Sequence, residues 1–361
     1  MTDWVTALRR VPFVLPAART VGRHLNHTLP SLVERERGSA PPGAGFDPRA
    51  ATTAANLGPT AAGLGGLPLD PKPARGAVNP VVTAEDVTDF GAVDFVADPF
   101  MIPGTDRWHL FFEVCNYARD PDAAIGHATS RDGLTWEYDR TVLITGEHLS
   151  FPYVFQWEGD RYMIPEEGGE DGRAVRIYKS DPFPAEWAPC ATPVSADHRT
   201  DDTVVFRHRD RWWLLVGDSD VEGFRLYHSD ALEADSWTPH DRNPVVTGRP
   251  AASRPGGRPV VHDDGVLLFF QDCERQYGHR VRAYDVTELD STAYTDREHP
   301  DSPVLEGTGS HVGWNAGRMH HLDPWYVDGR WFCAVDGNIS HAAVFTGRHW
   351  SLGAYAADGV R

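Results

Sequence analysis

The chain has 361 residues and carries 52 Asp and Glu against 34 Lys and Arg, a formal net charge of −18. That balance excludes a nucleic-acid backbone as the main partner, because phosphate binding needs a basic face. No run of about 18 apolar residues is present, which excludes a membrane-spanning helix, and four cysteines are too few for a disulfide scaffold.

The segment Met1–Pro12 lacks the basic start, apolar run and small-residue cleavage site of a secretory signal, so a cytoplasmic location is expected. Only two lysines occur, Lys72 and Lys179, and Asp outnumbers Glu. This pattern suggests a high-salt or high-GC source with a solvated acidic surface. Cys115, Cys273 and Cys333 recur at equivalent strand positions, and without CxxC spacing they read as small buried hydrophobes.

Residues 1–75 form an extension unlike the rest. A short helix is expected around Trp4–Leu15. The Pro-, Gly- and Ala-rich stretch Gly38–Arg75 cannot bury enough surface to fold alone, so an irregular arm draped on the main body, or a partly disordered tail, is expected.

Residues 76–361 read as all-β, and one hairpin is written into them five times. The copies begin at Asp98-Pro99-Phe100, Phe151-Pro152-Tyr153, Asp202-Thr203-Val204, Arg258-Pro259-Val260 and Asp323-Pro324-Trp325. They return through aromatic strands ending at Glu113, Glu166, Asp218, Gln271 and Asp336. A third strand follows the first four hairpins, as in Ile125–Thr129, Val175–Lys179, Phe224–His228 and Val281–Tyr284. The first three of these lead into equivalent turns whose Trp136, Trp187 and Trp237 lie 51 and 50 residues apart. Four strands in about 50 residues is the size of a propeller blade, so the expected fold is a five-bladed β-propeller with an irregular N-terminal extension.

In a blade the innermost strand lines the channel, and the start of one hairpin strand lies beside the end of the next. This groups Asp98 with Glu113, Phe151 with Glu166, Asp202 with Asp218, Arg254–Arg258 with Gln271, and His320–Asp323 with Asp336, all toward one channel mouth. Convergent polar groups of this kind mark a candidate site.

Several of these motifs resemble the N-terminal domain of the glucosamine inositolphosphorylceramide transferase family. They include Asn79-Pro80-Val81-Val82-Thr83, Phe95–Met101, Leu110–Glu113, Ile125–Trp136, His148–Phe155, Met163–Glu166, Arg254–Pro259, Gln271-Asp272-Cys273 with Tyr277-Gly278, and His320–Asp323. The resemblance covers roughly residues 78–340. That domain is similar in turn to the five-bladed propellers of glycoside hydrolase families 43, 32, 62 and 68. The resemblance implies a carbohydrate-handling propeller. It does not bring transferase activity with it, which in the plant enzymes belongs to a separate C-terminal domain.

Family 43 enzymes invert: one carboxylate activates water, one protonates the leaving oxygen, and a third tunes the acid. By that resemblance Asp98 matches the base, with a strand-opening Asx-turn as the plainer reading. Asp202, Glu166 and Glu113 are the remaining catalytic candidates, each also readable as a turn or loop carboxylate. Phe151 stands where the tuning Asp would be, so the hydrolase triad is incomplete. Either Glu113 or Glu166 substitutes, or the mouth binds sugar without cleaving it.

Arg254, Arg258 and Gln271 are expected to hold a sugar hydroxyl or anion, or to pair with Asp between blades. His320, His321 and Asp323, with His311 nearby, complete the substrate-binding candidates. No cofactor or metal is expected; a channel cation on the histidines is the weaker alternative, since HxH and HxxxH spacings are missing. Trp314 or Trp325 is expected to stack on a sugar, while most tryptophans read as inter-blade core. The turn Ser130–Trp136 resembles a sialidase Asp-box and reads as structural.

The leading reading is a glycoside hydrolase-like enzyme with paired carboxylates. Its rivals are a non-catalytic glycan- or glycolipid-binding module assisting a separate glycosyltransferase, and a scaffold that recruits partners through its arm.

Overall fold

A computed structural model describes residues 36–37, 45–52, 66–168, 173–262, 265–310, 313–339 and 349–358. The helix expected at Trp4–Leu15 lies outside them, as does His311. Five antiparallel sheets follow one another in chain order, and the expected five-bladed propeller is borne out. Blade 1 comprises Phe95–Pro103, Trp108–Cys115, Ala123–Ser130 and Glu137–Leu143. Blade 2 comprises His148–Trp157, Asp160–Gly168, Ala174–Ser180 and Trp187–Ser195. Blade 3 runs Asp201–His208, Arg211–Asp218, Gly223–Ser229 and Thr238–Pro239. Blade 4 opens with Arg254–Pro255 and Val260–His262, both paired to Gly265–Gln271, then Arg280–Leu289 and Tyr294–Glu298. Blade 5 holds Leu322–Val327, Arg330–Asn338 and Trp350–Ala357.

The fourth strand of blade 5 comes from the other end of the chain. Lys72–Pro73 pairs with Tyr355 and Ala356. The Asn79 side chain then clasps Ala354, donating to its carbonyl at 3.3 Å and accepting from its N–H at 2.9 Å. Ala51–Thr52 adds to the inner edge of the same sheet. Phe46 stacks on Phe332 of blade 5 at 4.4 Å, and its carbonyl accepts from Trp108 Nε1 of blade 1 at 2.7 Å. These pieces of the extension are thus packed parts of the ring closure, which composition alone did not convey.

The repeated sequence features coincide in space. In the outer turn of blade 1, Asp132 Oδ1 accepts from the N–H groups of Leu134 and Thr135, and Trp136 Nε1 donates to the Gly133 carbonyl. Trp187 repeats that indole bond to Pro184. Between blades the aromatic strands pack face to face. Trp108, Trp325 and Phe332 form one seam, and each such buried side chain contributes on the order of 2–3 kcal/mol of burial.

Each of the first three innermost strands also carries a β-bulge at the same place. Register shifts across Ala97/Phe100 and Asp201/Thr203, and opposite Ile164/Glu166, where Phe151 and Pro152 fall. The bulged residues Asp98, Phe151 and Asp202 have φ of 54°, 45° and 33°. A bulge bends the strand and re-aims one side chain. Three blades use it at one level of the channel.

Candidate functional site

The bulges bring Asp98 and Asp202 to the channel mouth, and the return strands bring Glu166 and Asp336. Asp202 and Glu166 are neighbours: the Asp202 N–H donates to Glu166 Oε2 at 2.7 Å. Arg254 binds them together, with Nε 2.7 Å from Asp202 Oδ2, one terminal nitrogen 2.9 Å from Glu166 Oε2 and the other 3.2 Å from Asp201 Oδ1. Gln271 Nε2 adds a donor to Asp202 Oδ2 at 2.8 Å.

A second group comes from blades 1 and 5. Asp336 Oδ1 accepts the backbone N–H groups of His320 and His321 at 3.0 and 3.1 Å. Its Oδ2 lies 2.6 Å from His320 Nδ1 and accepts the Asp98 N–H at 3.4 Å. The Asp98 carboxylate meets both imidazoles at longer range, Oδ1 being 3.9 Å from His320 Nδ1 and 3.8 Å from His321 Nδ1. That Oδ1 is buried without a hydrogen-bond partner.

Electrostatics follow from burying many carboxyls beside few cations. Burial, with repulsion from Asp336 and Glu166, pushes Asp98 up to about 6, against the pull of His320 and Arg254. Burial and Glu166 likewise raise Asp202 well above the carboxylate range, although Arg254 opposes them. Asp336 is desolvated too, yet His320 and His321 hold it below its ordinary value. The two groups therefore offer a carboxyl that gains and loses a proton near pH 6, and a second, Asp202, whose burial beside Glu166 makes it hold its proton more tightly than an ordinary carboxyl does. General acid–base work needs that combination.

Asp98, His320 and Asp336 also place one ligand atom each within 4.8 Å of the others. One nitrogen and two oxygens would suit a divalent cation. The same atoms serve equally as a proton-holding cluster.

Two other expected site residues, Arg258 and Asp323, lie beneath the mouth. Arg258 and Asp323 are fully buried and bound to each other, Nε to Oδ1 at 2.5 Å. Arg258 also donates to the carbonyls of Met101 and Val154, while Met101 N–H and Trp325 Nε1 donate to Asp323. This pair stitches blades 1, 2, 4 and 5 along the axis. It stands beneath the mouth because Arg258 follows the Gly256–Gly257 step, whereas Arg254 still faces Gln271. His321 is wholly buried, with its ring against Phe100 at 4.4 Å and Phe151 at 5.4 Å. Glu113 faces His148 Nε2 at 3.5 Å, and His148 Nδ1 lies 2.8 Å from Asp122. Burial opposes the charge on His148, but Asp122, Glu113 and Glu166 together raise it to about 9.

Neither expected sugar-stacking tryptophan is open. Trp325 lies under Arg258, and Trp314 Nε1 donates to Glu36 Oε2. Two residues of the mouth were given no role by the sequence, although Asp336 was grouped there with His320–Asp323. Asp336 carried a signal, since it ends the fifth return strand as Glu113, Glu166, Asp218 and Gln271 end the others. Trp350, whose ring stacks on His320 at 3.9 Å, carried none.

Fold and site together define a five-bladed propeller with a carboxylate-lined axial mouth. Solved structures share that fold. One is the catalytic domain of a GH62 α-L-arabinofuranosidase from Coprinopsis cinerea, with TM-score 0.58 and 14% identity, covering 77% of this chain and 95% of that one. Another is a glycosyl hydrolase from Bacteroides ovatus, with TM-score 0.58 and 12% identity, covering 80% and 94%. The family described as "Glucosamine inositolphosphorylceramide transferase 1, N-terminal" matches residues 69–338, and the chain belongs to that family. The curated protein of that transferase name from Arabidopsis thaliana is 33% identical over 274 residues, covering 72% of this chain and 34% of its own length. Its counterpart from Oryza sativa subsp. japonica is 31% identical over 274 residues, covering 72% and 35%. The chain thus spans about a third of the length of these relatives. The family match begins at Leu69 and so includes the strand that completes blade 5.

Proposed function

We propose that this chain is a carbohydrate-active propeller that acts on a glycosidic bond at the channel mouth. Asp98 serves as the base that takes a proton from water, and the Glu166–Asp202 pair as the acid that gives one to the leaving oxygen. The observation that carries this reading is the pairing of unlike carboxyls. Asp98 has a buried, unpartnered oxygen beside His320, while Glu166 and Asp202 share Arg254. Inverting hydrolysis needs one ionised and one protonated carboxyl flanking the bond. The hydrolase propellers that share the fold support the substrate class, and the family's transferase relatives support a glycan or glycolipid.

One observation favours the second reading, a glycan- or glycolipid-binding module serving a separate glycosyltransferase. Phe151 fills the bulge that holds a carboxylate in blades 1 and 3.

Both readings place a sugar at the mouth. The test is a saccharide array bearing glucosamine, inositol and phosphate groups, probed with the parent chain and with Glu166→Gln. A sugar retained by the parent and weakened about tenfold or more by E166Q is expected, as for loss of a charged hydrogen-bond partner. Equal retention by E166Q would place the sugar elsewhere.

A further inference from the structure

A sugar cleaved at the mouth must lie across both carboxyl groups, so a side chain that touches both groups marks the ground between them. Tyr277 is such a side chain. Its ring meets the His320 ring at 5.5 Å, nearly perpendicular, and the Arg254 guanidinium lies over it at 5.5 Å. His320 belongs with Asp98 and Asp336, and Arg254 with Glu166 and Asp202. Among the described residues, the other rings packed on the histidine and arginine of these groups are Trp350, Phe100 and Phe151, each at most 1% exposed. Tyr277 alone of the four is half-buried.

The loop that carries this ring is braced. It joins Gly265–Gln271 to Arg280–Leu289 in blade 4, and the strand before it also presents Gln271 to Asp202. Asp272 closes the loop: its N–H donates to the Arg280 carbonyl at 2.8 Å, its carbonyl accepts the His279 N–H at 2.9 Å, and its Oδ2 accepts from Arg280 Nε and Arg282 Nε at 2.8 Å each. The Tyr277 carbonyl accepts from a terminal nitrogen of Arg318 at 2.9 Å, and Arg318 in turn covers Trp350 at 5.0 Å. Gly278 follows with φ of +59°, and a Cβ there would stand 2.3 Å from His320 Cδ2, so the turn beside Tyr277 requires glycine. A fixed aromatic ring among a few charged groups is how a pocket orients a polyhydroxylated ligand: the charged groups meet hydroxyls while the ring covers carbons.

We propose that Tyr277 is the sugar-contacting ring of the mouth, packing against the bare C–H face of a pyranose held between the Asp98 and Glu166 groups. The assignment rests on the reading of the mouth as a sugar site and adds a specificity to it. A ring on one side of the substrate favours pyranoses whose hydroxyls are equatorial, because their faces carry C–H groups alone, and disfavours an axial hydroxyl on the packed face. A phenyl ring serves as well as a phenol in this role, so Tyr277 acts through its ring and not through its hydroxyl.

The test uses the full chain and the array saccharide that it retains most tightly. Tyr277→Phe should bind within about threefold of the parent, and Tyr277→Leu, which keeps bulk but no ring, should lose about tenfold, as for loss of an aromatic contact. Saturation-transfer NMR with the chain deuterated everywhere except at tyrosine should mark the C–H protons of one sugar face in the parent. That signal should vanish in Y277F while affinity is kept, which a merely structural tyrosine would not produce. If Y277L does not fold, the saturation experiment on Y277F decides alone. Binding that E166Q weakens and folded Y277L does not, a Y277F as weak as Y277L, or a saturation signal that survives in Y277F overturns the inference and leaves the sugar at the mouth. An array that the parent does not retain, or that E166Q retains equally, removes the reading of the mouth itself and the inference with it.

Discussion

Arg258 and Asp323 meet 2.5 Å apart, Nε to Oδ1, at a point on the propeller axis where neither side chain reaches solvent. Both had the sequence features of a binding site and both are instead the ring's central rivet. Breaking one side of a buried pair strands the other charge and costs about 3–5 kcal/mol. Asp323→Asn should therefore lower denaturant stability by about that amount. Replacing both partners, with Arg258→Met and Asp323→Leu, should cost less than D323N alone. Urea unfolding of the three variants checks the order, and a double variant weaker than D323N would refute it.

Asp98 should cost the protein stability at neutral pH. Its folded pKa of about 6 lies above the ordinary 3.8. A raised carboxyl pKa gives stability that is fully present below the unfolded value and lost as pH rises through the folded value. The window here runs from about pH 4 to 6, and the loss is on the order of 3 kcal/mol. Asp98→Asn removes the ionisation, so it should be more stable than the parent at pH 7.5 and lose that advantage near pH 4. Melting curves at the two pH values check this. A constant difference between parent and variant would contradict it.

Ring closure depends on the extension. Removing residues 1–74 deletes Lys72–Pro73, the fourth strand of blade 5, together with Phe46, which bridges blades 5 and 1. The truncated chain should melt lower by several degrees or fail to fold cooperatively, because the edge of Trp350–Ala357 loses its partner. Calorimetry of the two chains decides it, and an unchanged transition would show that the strand is dispensable.

The net charge of −18 makes salt a further probe. Screening relieves self-repulsion, so the melting temperature should climb between low salt and about 1 M NaCl. A flat or falling series would dispose of the salt-adapted surface.

The architecture was legible because each blade repeats the same punctuation: a polar step, an apolar strand, a turn, an aromatic return, and in the first three a tryptophan turn. The mouth was legible only in part. Asp98, Glu166, Asp202, Arg254, Gln271 and His320 occupy repeated positions, and the structure brings them together. Arg254 and Arg258 look alike in Arg-Pro-Gly-Gly-Arg-Pro, however, and only the register against Gln271 shows that the first stays at the mouth while the second descends to the core. The arm was unreadable for a different reason. Its strands are two residues long, too short for any periodicity, and they pair with strands from the other end of the chain.

Turnover by parent and Asp98→Asn on a panel of glycosides tests the central claim most directly, with binding of the same compounds measured in parallel. The parent should release product from one member, and D98N should lose about a hundredfold or more of that rate, as for removal of a general base, while keeping its affinity. Equal rates in the two proteins, or a panel that the parent neither binds nor cleaves, would contradict it.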